Sequence, residues 1–132
     1  MEKTIVLITN QSSSSRIIEA GRLVADRAET ELSVLEVLDY DYTLDPEAVN
    51  YLFELAKKSG AALRMIFANQ KVAAIREALQ DQEVKHVLTG LPEGRQSILY
   101  SLWQLFPNID FFIVGSSQEP LMVNTRLQYS FA

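Results

Sequence analysis

The residues able to do chemistry in this chain gather in two short stretches. One is Thr9-Asn10-Gln11-Ser12-Ser13-Ser14-Ser15, the polar run that closes an apolar segment. The other is Thr89-Gly90-Leu91-Pro92-Glu93-Gly94-Arg95-Gln96-Ser97, where a second apolar segment gives way to two glycines, an arginine and a serine. Hydroxyl and amide side chains at a helix start cap backbone N–H groups. A glycine-containing turn ahead of a helix can present N–H groups to an anion, and a neighbouring arginine supplies a charged clamp. The chemistry these residues suit is the holding of a phosphate. Thr9, Asn10, Ser12, Ser13, Gly90, Gly94, Arg95 and Ser97 are therefore the candidate ligand-binding residues, Ser97 also being placed to cap the following helix. A tight turn with a capped helix and no ligand uses the same residues, and both readings stay open here.

No catalytic constellation is visible, and no metal site. His86 is the single histidine and has no nearby ligand spacing. No nucleophile elbow accompanies it, and no Walker lysine follows the glycines. Asp39-Tyr40-Asp41-Tyr42 could stack a base on a tyrosine, but it reads first as a solvated loop. Trp103 and Phe106, at helical spacing, read as core.

The elements that must position these residues follow in order. Thr4 to Thr9 is a β-branched and aliphatic run, as in a strand buried on both faces. Ile17, Gly21, Val24 and Ala28 then recur at helical steps. Leu32 to Leu38 reads as the second strand. Asp45-Pro46-Glu47 signals a helix start; Val49, Leu52, Phe53 and Ala56 form its stripe, Lys57 and Lys58 suit its last turn, and Gly60 ends it. Ala62 to Ala68 is the third strand, and Asn69 is expected to cap a third helix carrying Val72, Ile75 and Leu79. Val84 to Thr89 is the fourth strand, leading into the second polar stretch. Ile98, Leu99, Leu102, Trp103 and Phe106 make a short helix broken at Pro107-Asn108, and Ile109 to Val114 is the fifth strand. Alternating strands and helices imply a parallel sheet covered on both faces. The expected fold is α/β, a three-layer α/β/α sandwich with a five-stranded parallel sheet. Residues 1–115 form the domain. Residues 116–132 are a tail in which Leu121-Met122-Val123 or Leu127 to Phe131 could add a strand, cross to a partner or stay loose.

Bulk properties narrow the class. The chain has 132 residues, enough for one domain with a sizeable core. Its net charge is −5 with twelve Lys and Arg spread along it, which gives no basic stripe for double-stranded nucleic acid. Cysteine is absent, which removes thiolate chemistry and suits a reducing cytoplasm. No apolar run approaches the ~18–20 residues of a membrane span. The apolar start, Ile5 to Ile8, is too short for a signal peptide and reads as a strand.

The pattern from Lys3 to Val114 resembles the universal stress protein (UspA-like) family, nearest the universal-stress domain of KdpD-type sensor kinases. The resemblance rests on IVLITNQSSSSRIIEAGRLVADRAETELSVLEV, on VKHVLTG and on RQSILYSLWQLFPNIDFFIV. It implies an adenine nucleotide alpha hydrolase-like α/β sandwich, often dimeric through the last strand, and a place in stress or potassium signalling. In the nucleotide-binding branch, adenine and ribose sit near the ends of the first two strands. The phosphates sit on a G-x-x-G-x(9)-G-[ST] loop after the fourth. This chain departs from that loop. Asn10 stands where an Asp is common, three residues rather than two separate Gly90 from Gly94, and Gln96-Ser97 replaces Gly-Ser. Fewer backbone donors then face a triphosphate.

The function expected is a regulatory binding module with a shortened nucleotide loop, its ligand an adenine nucleotide or a cyclic dinucleotide. A homodimer is the expected assembly, with a signalling protein as a further partner. The competing reading is a structural interaction protein with no small ligand, pairing through Phe111-Phe112-Ile113-Val114 as an exposed edge. Slow nucleotide hydrolysis needs a metal for which no ligands are evident.

Overall fold

A computed structural model describes residues 1–8, 14–41, 43–90, 98–115 and 120–122. Its elements are β1 (Lys3–Ile8), α1 (Ser14–Ala28), β2 (Glu31–Leu38), α2 (Pro46–Lys58) and β3 (Ala62–Phe67). They continue with α3 (Lys71–Leu79), β4 (Val84–Gly90), α4 (Ile98–Leu105), β5 (Asp110–Val114) and β6 (Pro120–Met122). The strands form one sheet in the order β3-β2-β1-β4-β5-β6. The first five are mutually parallel, as the alternation of elements requires, and β6 runs antiparallel along the outer side of β5. Part of the tail therefore adds a strand.

Right-handed crossovers fix the layers. The chain steps from β1 to β2 to β3 in one direction, which leaves α1 and α2 on one face. It then returns past β1 to β4 and β5, which sends α3 and α4 to the other face. The two-residue period of each strand sorts neighbours between the layers. Val6, Ile8, Leu32, Val34 and Leu88 pack under Ile17, Ile18, Val24 and Leu52. Ile5, Leu7, Leu35, Val37 and Val87 pack against Ile75, Leu79 and Leu102 on the opposite side. Each fully buried aliphatic side chain contributes about 1.5–3 kcal/mol. The two-sided burial of β1, β2 and β4 is the main stabilising feature.

Local chemistry places the helices. Asp45 caps α2, its carboxylate accepting from the Glu47 N–H at 3.1 Å, with Pro46 at the first helical position. Gly60, at φ 68°, lets the chain leave that helix in a left-handed step, while the Ala61 N–H reaches back to the Ala56 carbonyl. α1 ends in the same motif without a glycine: Glu29 takes φ 57° and the Thr30 N–H bonds to the Ala25 carbonyl. Gly21 brings α1 against β1, where a Cβ would overlap Cγ2 of Val6.

Three expectations are corrected. The run Phe111 to Val114 is not an exposed edge, because β6 pairs along it. The stripe of α2 is narrower than its apolar residues suggest, because Leu52 and Ala56 are buried whereas Val49 is half-buried and Phe53 is 51% exposed. Asn69 does not cap α3. The residue before that helix is Gln70, whose side chain makes no capping bond, so the helix starts at Lys71. Trp103 and Phe106 pack against the second core cluster, as their spacing implies.

Candidate functional site

In an open α/β sheet, ligands bind beyond the carboxyl ends of the strands where the strand order reverses. Here the reversal falls between β1 and β4, which are adjacent although residues 9–83 separate them in the chain. β1 ends at Ile8 and β4 at Gly90, side by side at the same end of the sheet. The first polar stretch follows β1 in the chain, and the second begins with Thr89 and Gly90 of β4, at this end of the sheet. α1 begins on one side of it at Ser14 and α4 on the other at Ile98.

Among the predicted site residues, Gly90 is described. It is the last residue of β4, opposite Val114 on β5, and it faces α1. A Cβ there would stand 3.2 Å from Cδ1 of Ile17, so the glycine lets the first turn of α1 settle close to the strand end. Thr9, Asn10, Ser12, Ser13, Gly94, Arg95 and Ser97 lie outside the described residues. Ser14, the next member of the serine run, opens α1 and is buried.

One residue at this end was missed by motif reading. Glu36 on β2 is fully buried and lies opposite Ile8 on β1 and Met65 on β3. It shares the α1 face with Val34, two residues earlier, and stands one strand away from the end of β1. The available signal was a single acid inside the apolar run Leu32 to Leu38. A carboxylate removed from water is costly unless compensated, so the position of Glu36 is set by its interactions and not by hydropathy.

Other chemistry-bearing groups sit elsewhere. His86 lies on β4 beside Thr4 and opposite Asp110, its Nδ1 3.7 Å from Oδ2 of Asp110 and its ring 5.9 Å from that of Phe112. Thr4 in turn shares a 2.6 Å hydroxyl hydrogen bond with Thr30. Tyr40, after β2, is 65% exposed, and Asp39 pairs with Lys71 at 3.6 Å; Tyr42 lies outside the described residues. A groove of about 560 Å³ lined by Leu79, Val84, Leu105, Phe106 and Ile109 opens at the amino ends of β4 and β5. That is the end opposite the strand-order reversal. Lys3 and Asp81 are bridged at the same end, at 2.8 Å. Among the described residues no group of three or more metal-ligating side chains is found, and no helix is long and apolar enough to cross a membrane.

The chain superposes on the crystal structure of a protein from the universal stress protein family from Burkholderia pseudomallei with a TM-score of 0.59. The alignment covers 86% of this chain and 95% of that one at 13% sequence identity. The two share a fold. At that identity the likeness is architectural, and it extends to the parallel five-stranded sheet with helices on both faces. No family model matches the sequence, and no curated protein matches it.

Proposed function

We propose that this chain is a universal-stress-type binding module of the cytoplasm, whose ligand is a phosphate-bearing adenine nucleotide or cyclic dinucleotide. One observation supports the reading: β1 and β4 end side by side where the strand order reverses, and in the sequence the run from Asn10 follows the first of them and Gly94, Arg95 and Ser97 follow the second. Backbone N–H groups after Gly90 and the Arg95 guanidinium hold the anion, and Thr9, Asn10, Ser12 and Ser13 meet the remainder of the ligand. The loop has fewer glycines than a triphosphate cradle, so ATP is held less well than a ligand with fewer phosphates. The role is recognition and signalling, without turnover. The sequence likeness to KdpD-type domains supports a place in stress or potassium signalling beside a protein partner.

Thermal unfolding with AMP, ATP with magnesium, and cyclic di-AMP tests this. A ligand at a hundred times its Kd stabilises the folded state by about 2.7 kcal/mol, a shift of several degrees. AMP or cyclic di-AMP is expected to raise the melting temperature more than ATP, and Arg95→Ala to remove the shift without altering the unliganded value. The second reading, a structural interaction protein, is favoured by the altered glycine spacing. Absence of a shift with every nucleotide, together with a stable dimer by light scattering, selects it.

A further inference from the structure

We propose that two copies of this chain associate through the outer edges of their β3 strands, antiparallel about a two-fold axis, joining two sheets into one. This is independent of whether the crevice binds a nucleotide. Among the described residues the sheet is bordered by β6 on one side and β3 on the other. Among the described residues the β6 border is blunted: three residues of strand, beginning with Pro120. Short strands and proline are common ways of stopping edge-to-edge pairing. β3 has six residues, no proline and one charge, Arg64. Its outer backbone groups form a template for another strand, and a strand paired antiparallel with itself is the self-complementary solution that a two-fold axis demands.

The side chains around this edge suit the same partner. Leu63, Met65 and Phe67 point to the α1 and α2 face, opposite Val34, Glu36 and Leu38, and all three are only half-buried. Leu55 of α2 packs against the cluster that includes α1. At 100° per residue, Val49 and Phe53 then fall on the other flank of α2, over the β3 edge. The partial exposure of that flank, unexpected for an apolar stripe, is explained by a surface awaiting a second α2.

Geometry and charge agree. α2 crosses from β2 to β3, so its symmetry mate would lie about two strand spacings away, ~10 Å, the separation at which helices pack. The two helices would run antiparallel. Each α2 carries Asp45 and Glu47 at its start and Lys57 and Lys58 in its last turn, so the acidic end of one meets the basic end of the other, and their dipoles align favourably. A β-strand from an unrelated protein would satisfy the backbone but not this charge pattern.

The native chain has no cysteine, which makes single-cysteine cross-linking a direct test. Arg64→Cys places a thiol on the exposed β3 edge, and Asn108→Cys places one in the exposed turn before β5. The expected result is a dimer by light scattering that a bis-maleimide long enough to span a shift of a few residues in register cross-links through position 64 and not through position 108. Phe53→Lys, a change at an exposed site that leaves the fold intact by circular dichroism, is expected to raise the dimer dissociation constant about tenfold or more. A monomeric native chain overturns the proposal, whether its β3 edge is bare or covered by its own residues 123–132. So does a dimer that cross-links in any other pattern, or one whose affinity is unchanged in Phe53→Lys.

Discussion

At the scale of single residues, small size and backbone conformation matter more than charge. Gly21 is the closest approach of α1 to β1, and the atoms a methyl would meet belong to Val6, a fully buried side chain without room to retreat. Gly21→Ala is expected to cost about 1–3 kcal/mol, through overpacking of a close-packed layer. Urea unfolding at neutral pH measures it, and a change under about 0.5 kcal/mol would show that α1 can slide to make room. The two helix ends provide an internal comparison, because Glu29 and Gly60 occupy the same left-handed step in the same terminating motif. An L side chain there costs roughly 1–2 kcal/mol relative to glycine, partly offset by the greater freedom of glycine in the unfolded chain. Glu29→Gly should therefore stabilise by up to about 1 kcal/mol while Gly60→Ala destabilises by about as much. Opposite signs in paired denaturation curves are the expected outcome.

At the scale of elements, the helices differ in how much of their stability is local. α2 has a capping carboxylate, a first-turn proline, acids at its start, lysines at its end and a left-handed exit. Asp45→Ala is expected to cost about 1 kcal/mol, with the loss measurable by thermal unfolding and largely retained in high salt because a hydrogen bond is removed. α3 has nine residues and no side-chain cap, and is anchored by Ile75 and Leu79 beneath the sheet. Its capping residue could not be located from propensity because packing, not the cap, sets where that helix begins. The same limit applies to the exposed flank of α2. Val49 and Phe53 satisfy the helical period as well as Leu52 and Ala56 do, and periodicity carries no information about whether anything lies opposite.

At the scale of the whole molecule, the sheet separates two kinds of chemistry. At its carboxyl end β1 and β4 finish side by side, whereas its amino end is bound by ion pairs across the chain. Lys3 hydrogen-bonds Asp81, and this contact holds the Asp81 carboxyl below the usual carboxylate range; the Glu83 N–H adds to the effect. The same contact raises the Lys3 ammonium above its ordinary value. Asp81 therefore contributes stability that is present above its unfolded value of 3.8 and lost as pH falls through its lower folded value. Lys3 contributes stability present below 10.5 and lost as pH rises through its raised folded value. Both groups are partly solvated, so the effect is modest and screened by salt. Asp81→Asn keeps the turn to Glu83 and removes the charge. It should lower the unfolding midpoint between about pH 5 and 10 in low salt and converge with the native chain at strong acid. A constant difference at every pH would mean that the turn, and not the ion pair, had been altered.

What the sequence determined by itself was everything governed by local order: the alternation of strands and helices, the two-sided burial of the central strands, the proline-led start of α2 and its glycine exit. These are readable because strand and helix periods, caps and breakers act over a few residues. The parallel sheet followed, since chirality restricts how such units can be wound. Tertiary structure alone decided that the ends of β1 and β4 are neighbours at the reversal of strand order, because adjacency of segments about eighty residues apart depends on which side of β1 the chain returns to. It also decided that Glu36 is wholly buried at that end, that β6 lines one border of the sheet, and that α2 leaves Phe53 exposed beside β3, the border strand on the other side among the described residues. Burial is a property of what packs against a residue, and no local pattern in the chain specifies its neighbour.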